Sequence, residues 1–146
     1  MKRGVDYIGV GCGYLIVNDN HQVLLIKRTD KSQGGGGGFR AQPGGTIEFG
    51  DTLENTVKRE IKEELNVDIE LIGPQIFAED IREENGIKKH RFTGGCFAKI
   101  IGGDVKIMEP EKCSEVKWFD LDNLPEPIIG YTRPFIEKYR ERIKGN

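Results

Sequence analysis

Residues 44–67 read GGTIEFGDTLENTVKREIKEELNV, a glycine pair and a polar loop running into a helical pattern. Leu53, Val57, Ile61 and then Glu64 or Leu65 recur every three or four residues, which predicts an amphipathic helix from Thr52 to Leu65. Thr52 suits its N-cap. Asn66 follows the last turn, and Asn is second only to Gly for the left-handed residue that ends a helix. Glu60, Glu63 and Glu64 stand at i, i+3 and i+4, so three carboxylates share one helix face. Their repulsion, a few tenths of a kcal/mol per pair in water, is relieved by a divalent cation. With no His or Cys beside them, the all-oxygen set selects a hard ion, Mg²⁺ or Mn²⁺. A Glu-rich face interleaved with Lys58, Arg59 and Lys62 is equally the pattern of a solvated helix surface, and the surroundings must decide.

Upstream, residues 8–17 and 22–28 are β-rich runs around a polar turn at Asn18–Asn20, a predicted hairpin. Gly34–Gly38 follow as five consecutive glycines, expected to form a mobile loop. A P-loop would need Lys and Ser or Thr after the glycines, whereas Phe39 and Arg40 stand there. Downstream, residues 67–81 and 87–101 read as a long hairpin turning at Glu84–Gly86. Residues 105–108 and 115–119 read as two short strands. Thr132 to Lys144, with Thr132 as cap, Pro134 in the first turn and Gly145 just past the end, closes the chain as an amphipathic helix. Strands and helices mix without strict alternation, so the expected class is α/β (α+β), a mixed sheet flanked by helices, with residues 1–146 as a single domain.

Composition narrows the function classes. The 146 residues carry 22 Lys and Arg against 24 Asp and Glu, a net charge of -2 that lacks the basic excess of a nucleic-acid binder. Three scattered cysteines, Cys12, Cys96 and Cys113, suggest neither a disulfide framework nor a zinc knuckle, and reduced thiols in a cytoplasm are expected. Nothing in the sequence reads as a membrane or targeting segment.

In this setting the stretch resembles the signature of the Nudix hydrolases. Gly45 is followed after five residues by Asp51, and seven further residues lead to Arg59, Glu60, Ile61, Lys62, Glu63, Glu64, Leu65, Asn66 and Val67. Average usage puts a chance match of the fixed Gly, Arg and three Glu at about one in ten thousand. Two positions depart from the family pattern: Asp51 stands for Glu and Asn66 for Gly. The shorter acid can still pair with Arg59, and the capping argument makes Asn66 mild. The resemblance implies a Nudix-type α/β/α sandwich, with the carbonyl of Gly45 and the carboxylates of Glu60, Glu63 and Glu64 as metal ligands. It implies Arg59 as a partner of the loop and Gly44 with Gly45 as the close approach to phosphates. Resemblance to the small nucleoside triphosphate diphosphatases extends over about residues 4–127.

Further residues can be assigned by position. Arg28 at a strand end suits a phosphate contact, and Glu111 stands where MutT-like enzymes place a distal carboxylate that acts as base or ligand. Phe39, Phe92 and Thr93 could touch a base, while Trp118 and His90 read as structural. The expected reaction is metal-dependent hydrolysis of a nucleoside triphosphate to a nucleoside monophosphate and pyrophosphate. ADP-ribose or another nucleoside diphosphate derivative is an alternative substrate, and a non-hydrolysing nucleotide sensor is the alternative from another class. A homodimer is compatible with the resemblance.

Overall fold

The computed structural model describes residues 1–31 and 37–145, so the part of the glycine run at Gly34–Gly36 lies outside the described residues. Its elements are β1 (Gly9–Val17), β2 (Gln22–Arg28), β3 (Arg40–Ala41), β4 (Gly44–Thr46), α1 (Leu53–Leu65), β5 (Val67–Glu84), β6 (Ile87–Gly103), β7 (Cys113–Asp120) and α2 (Arg133–Lys144). The sheet runs β3-β2-β1-β6-β5, with β4 also paired to β1 and β7 to β2. β1 and β6 are parallel, Gly11 opposite Thr93 and Gly13 opposite Gly95, and the other named pairs are antiparallel, which makes the sheet mixed.

Alternation along β1 builds a core on each face. Cys12, Tyr14 and Ile16 pack under α1 with Val57, Ile61 and Leu65. Leu15 and Val17 point the other way, against Phe135, Ile136 and Tyr139 of α2. The result is the expected helix–sheet–helix sandwich. Trp118, as anticipated, packs against the first of these cores.

Two local expectations are corrected. Residues 105–108 form no strand: the amides of Lys106 and Met108 donate instead to the carbonyls of Leu65 and Glu64, satisfying the open C-terminal end of α1. Thr132 does not cap α2 through its side chain; its backbone is already helical, and its hydroxyl accepts the amide of Gln42 at 3.1 Å. Among the described residues no helix is long and apolar enough to cross a membrane.

Candidate active site

α1, which follows the glycine loop, is capped at both ends. Thr52 adopts an extended backbone and its hydroxyl accepts the amide of Asn55 at 3.1 Å, while Asn66 ends the helix at φ 64° with its amide bonded to the Lys62 carbonyl. The shorter acid does pair with the arginine: Arg59 Nη1 donates to Asp51 Oδ2 at 2.5 Å. That contact holds the Asp51 carboxyl below its ordinary range. It ties the loop to the turn of α1 that carries Glu60.

The two glycines have separate reasons. A Cβ on Gly44 would run into the Cys12 carbonyl of β1, because β4 lies directly against that strand. A Cβ on Gly45 would stand 2.9 Å from the Glu60 carboxyl carbon. Bare backbone at Gly45 therefore lets a carboxylate lie against the loop, and the Gly45 carbonyl accepts the Cys12 thiol at 3.5 Å.

Glu64 is the most perturbed acid of the site. Burial pushes its pKa up to about 8, with the charges of Glu60 and Glu109 adding to the effect and those of Lys112 and Arg28 opposing it. Its Oε2 is buried with no hydrogen-bond partner. Glu60 is raised as well, by burial first and then by Glu63. Burial also pushes the Cys12 thiol up to about 11, so it stays protonated beneath the loop. Among the described residues no three His, Cys, Asp or Glu side chains are already gathered tightly enough to hold an ion. The donors nonetheless fit a hard divalent cation: carboxylate and carbonyl oxygens, one of them buried and unpaired, clustered so that like charges raise one another. Glu60, Glu64 and the Gly45 carbonyl would hold it.

These groups form one end of a cavity of about 320 Å³. Of the residues anticipated from sequence, Arg28, Gly44, Gly45, Glu60, Glu63, Glu64 and Thr93 line it, and Arg59 stands beside it through its contact with Asp51. Arg28 donates to the Tyr131 hydroxyl at 3.3 Å. Two anticipated residues are elsewhere. Phe39 stands outside the wall, its carbonyl spent on the Arg28 amide. Glu111 is exposed, its carbonyl accepting the Thr29 hydroxyl, and Glu109 lines the cavity in its place. Phe92 lies on the opposite face of the sheet, stacked on Phe77, and His90 pairs with Glu79 at 3.1 Å.

The wall away from the carboxylates went unread in the sequence. Asp80 and Arg82 of β5 and Arg91 of β6 line it with Thr93, and Tyr131 closes it from the loop before α2. Asp80 is opposite Arg91 in register, and Arg82 Nε lies 3.6 Å from Asp80 Oδ2. The signal available was the alternation Asp80, Ile81, Arg82 against Arg91, Phe92, Thr93, which puts the polar members of both strands on one face.

The NUDIX domain family model matches residues 8–139. An ADP-ribose pyrophosphatase of Methanocaldococcus jannaschii is 36% identical over 121 residues, covering 81% of this chain and 66% of that protein. An NAD-capped RNA hydrolase NudC of Stutzerimonas stutzeri is 33% identical over 103 residues, 69% of this chain and 35% of the relative. The chain thus spans less than two thirds of the length of these curated relatives. Among solved structures, a MutT NUDIX hydrolase from Burkholderia pseudomallei superposes with a TM-score of 0.72 at 32% identity, covering 90% of this chain and 98% of that one. A MutT protein from Methanosarcina mazei Go1 shares the fold with a TM-score of 0.70 at 23% identity.

Proposed function

Because this chain belongs to the NUDIX domain family, we propose that it is a metal-dependent pyrophosphohydrolase that cuts the α–β anhydride of a nucleoside triphosphate, releasing a nucleoside monophosphate and pyrophosphate. The observation that carries the reading is Glu64: a buried carboxylate with an unpaired oxygen, beside Glu60 and Glu109 at one end of a nucleotide-sized cavity.

A divalent cation bound at Glu60, Glu64 and the Gly45 carbonyl would neutralise phosphate charge and acidify a water. The chain's own residues supply the rest. Glu64 and Glu60 give up their raised affinity for protons when the site is loaded. Arg28 and Lys112 line the same end of the cavity as the carboxylates and offset the charge of a polyphosphate. The contact of Asp51 with Arg59 keeps the Gly45 carbonyl at a fixed distance from α1. Glu109, which faces the site where Glu111 does not, accepts the proton of the attacking water. Asp80, Arg91 and Thr93 receive the nucleoside.

A second reading, hydrolysis of ADP-ribose to AMP and ribose phosphate, is favoured by the 36% identity to a protein named for that activity. It breaks the same α–β anhydride. A panel of canonical and modified nucleoside triphosphates, ADP-ribose and dinucleotides with Mg²⁺ or Mn²⁺, assayed for phosphate, pyrophosphate and nucleoside monophosphate, tests both. Pyrophosphate from a triphosphate is the expected result. AMP from ADP-ribose with inert triphosphates would move the reading to the second. Nucleotide binding without turnover of any substrate would refute both and favour a sensor.

A further inference from the structure

Among the described residues of the cavity wall, the buried side-chain atoms without a hydrogen-bond partner are Glu64 Oε2, Arg82 Nε and both amide atoms of Gln42. The first belongs to the metal end, and Arg82 Nε lies between Asp80 and Glu84 at 3.6 and 3.5 Å. Gln42 has no such explanation. It is 2% exposed, yet neither its Oε1 nor its Nε2 is hydrogen-bonded. A buried carboxamide in this state has lost the hydration of a donor and an acceptor with no return. The surroundings nonetheless hold it in place. Its backbone amide donates to the Thr132 hydroxyl at 3.1 Å, and the Ile129 amide donates to the Arg40 carbonyl at 2.8 Å, so the segment bearing Ile129 and Tyr131 runs beside it. Gly13 of β1 lies against the side chain: a Cβ there would stand 3.0 Å from Gln42 Nε2 and 3.2 Å from its Cγ, so the glycine leaves room for the amide. An apolar side chain of similar size would fill this space with no unpaired atom, and the polar one calls for a ligand.

We propose that Gln42 is the residue that reads the nucleobase, an inference that rests on the nucleotide reading of the cavity given above. A carboxamide presents a donor and an acceptor side by side, the complement of an edge such as N1 with the 6-amino group of adenine or N1–H with O6 of guanine. Turning over lets the same amide serve either. A phosphate would face the lone pairs of Oε1, and Arg28 and Lys112 already line the cavity for that charge. Position agrees. Gln42 precedes Gly45 by three residues, a span of at most about 10 Å, so a nucleotide whose phosphates lie at Gly45 has its base within reach of Gln42. Ile129 and Tyr131 line the cavity with it and offer the apolar contact that a flat ring needs. Both amide atoms lie beneath the surface of the wall, and rotation about the outer side-chain bonds brings them to the base. No side-chain hydrogen bond has to break for that turn.

Gln42→Met keeps the unbranched shape and removes both polar atoms. The unliganded variant is expected to melt no lower than the wild type, because no side-chain hydrogen bond is lost. With Mg²⁺, the wild type is expected to cleave the better of its adenine and guanine substrates with a kcat/KM at least about 10-fold above that for the same compound built on unsubstituted purine, which keeps the ring and loses the 6-substituent. In Gln42→Met that ratio is expected to fall to within about two-fold, through KM and not kcat, since the base contact is made equally in the ground and transition states. Triphosphate or ADP-ribose serves alike, whichever the wild type cleaves. Binding separates this inference from the proposed reaction: AMP or GMP with Mg²⁺ should raise the wild-type melting temperature more than ribose 5-phosphate does, and the variant should lose that margin, even in a protein that cleaves nothing. A base ratio and a binding margin that survive in Gln42→Met overturn the inference. So does a variant that melts lower and loses activity equally on every substrate, which would make Gln42 a residue of the packing alone. A wild type that handles unsubstituted purine as well as adenine and guanine overturns it without any variant.

Discussion

Replacing Glu64 by Gln should make the metal-free protein more stable above neutral pH while destroying its response to metal. An acid whose pKa rises from 4.5 in the unfolded chain to about 8 in the folded one is protonated in the fold over a range where the unfolded chain has already released its proton. Stability is therefore fully present below pH 4.5 and is lost as pH rises toward 8. Linkage gives a loss of about 2.5 kcal/mol between pH 5 and pH 7 from this group alone. At roughly 2–4 °C per kcal/mol for a chain of this size, the melting temperature in EDTA should fall by about 5–10 °C over those two units. Glu60, also raised by burial, adds a slope of the same sign. The lowered acid Asp51 titrates below this window and leaves it untouched. Glutamine imitates the protonated acid, so the E64Q curve should be much flatter and should lie above the wild type at pH 7. Saturating Mg²⁺ should restore the wild type, because the cation replaces the proton at the carboxylate, and should leave E64Q almost unmoved. Turnover in E64Q should drop at least about 100-fold. Thermal melts of both proteins at half-unit pH steps, with EDTA and with Mg²⁺, check this. Parallel wild-type and E64Q curves in EDTA would refute the assignment of Glu64 as the strained acid.

The glycine pair should separate stability from activity. Gly44→Ala pushes a methyl into the backbone of β1 and should cost at least about 2 kcal/mol by urea unfolding, whereas Gly45→Ala meets only the movable Glu60 side chain and should lower kcat by about 100-fold with little change in melting temperature. Glu109→Gln should reduce kcat, while Glu111→Gln stays within about two-fold of wild type in the same assay. Asn66→Ala should destabilise by about 1 kcal/mol because the position has φ 64°, and Asn66→Gly should be near neutral, both read from denaturant midpoints.

α1 could be placed from the sequence because everything that defines it is local: the apolar spacing, the Thr52 cap, and the Asn66 stop all lie within one 15-residue window. The carboxylate face followed from the same spacing. What escaped depends on contacts between distant segments. Val105 and Ile107 look like a strand by alternation, yet the amides of Lys106 and Met108 cap α1, a role set by where the loop docks. That docking also decides between Glu109 and Glu111, two acids of one type two residues apart, of which only the first faces the cavity. β3 and β4, at two and three residues, are too short to show a period at all. Thr132 looked like a cap from its place before Arg133 and Pro134, but Gln42, 90 residues away, takes its hydroxyl.

β1 is hydrogen-bonded to β2, β4 and β6 at once, and its alternate residues anchor both cores. β4, with Gly44 and Gly45, and β6, with the wall bearing Thr93, cannot leave the sheet without breaking their ladders to β1. Such a chain has no low-energy route by which the site melts while the rest persists. Amides of residues 12–16 should then be among the slowest to exchange with deuterium, at the rate of global unfolding. Catalysis should disappear at the same denaturant concentration as the helical signal, so the site behaves as part of the folding unit and not as a loop grafted upon it.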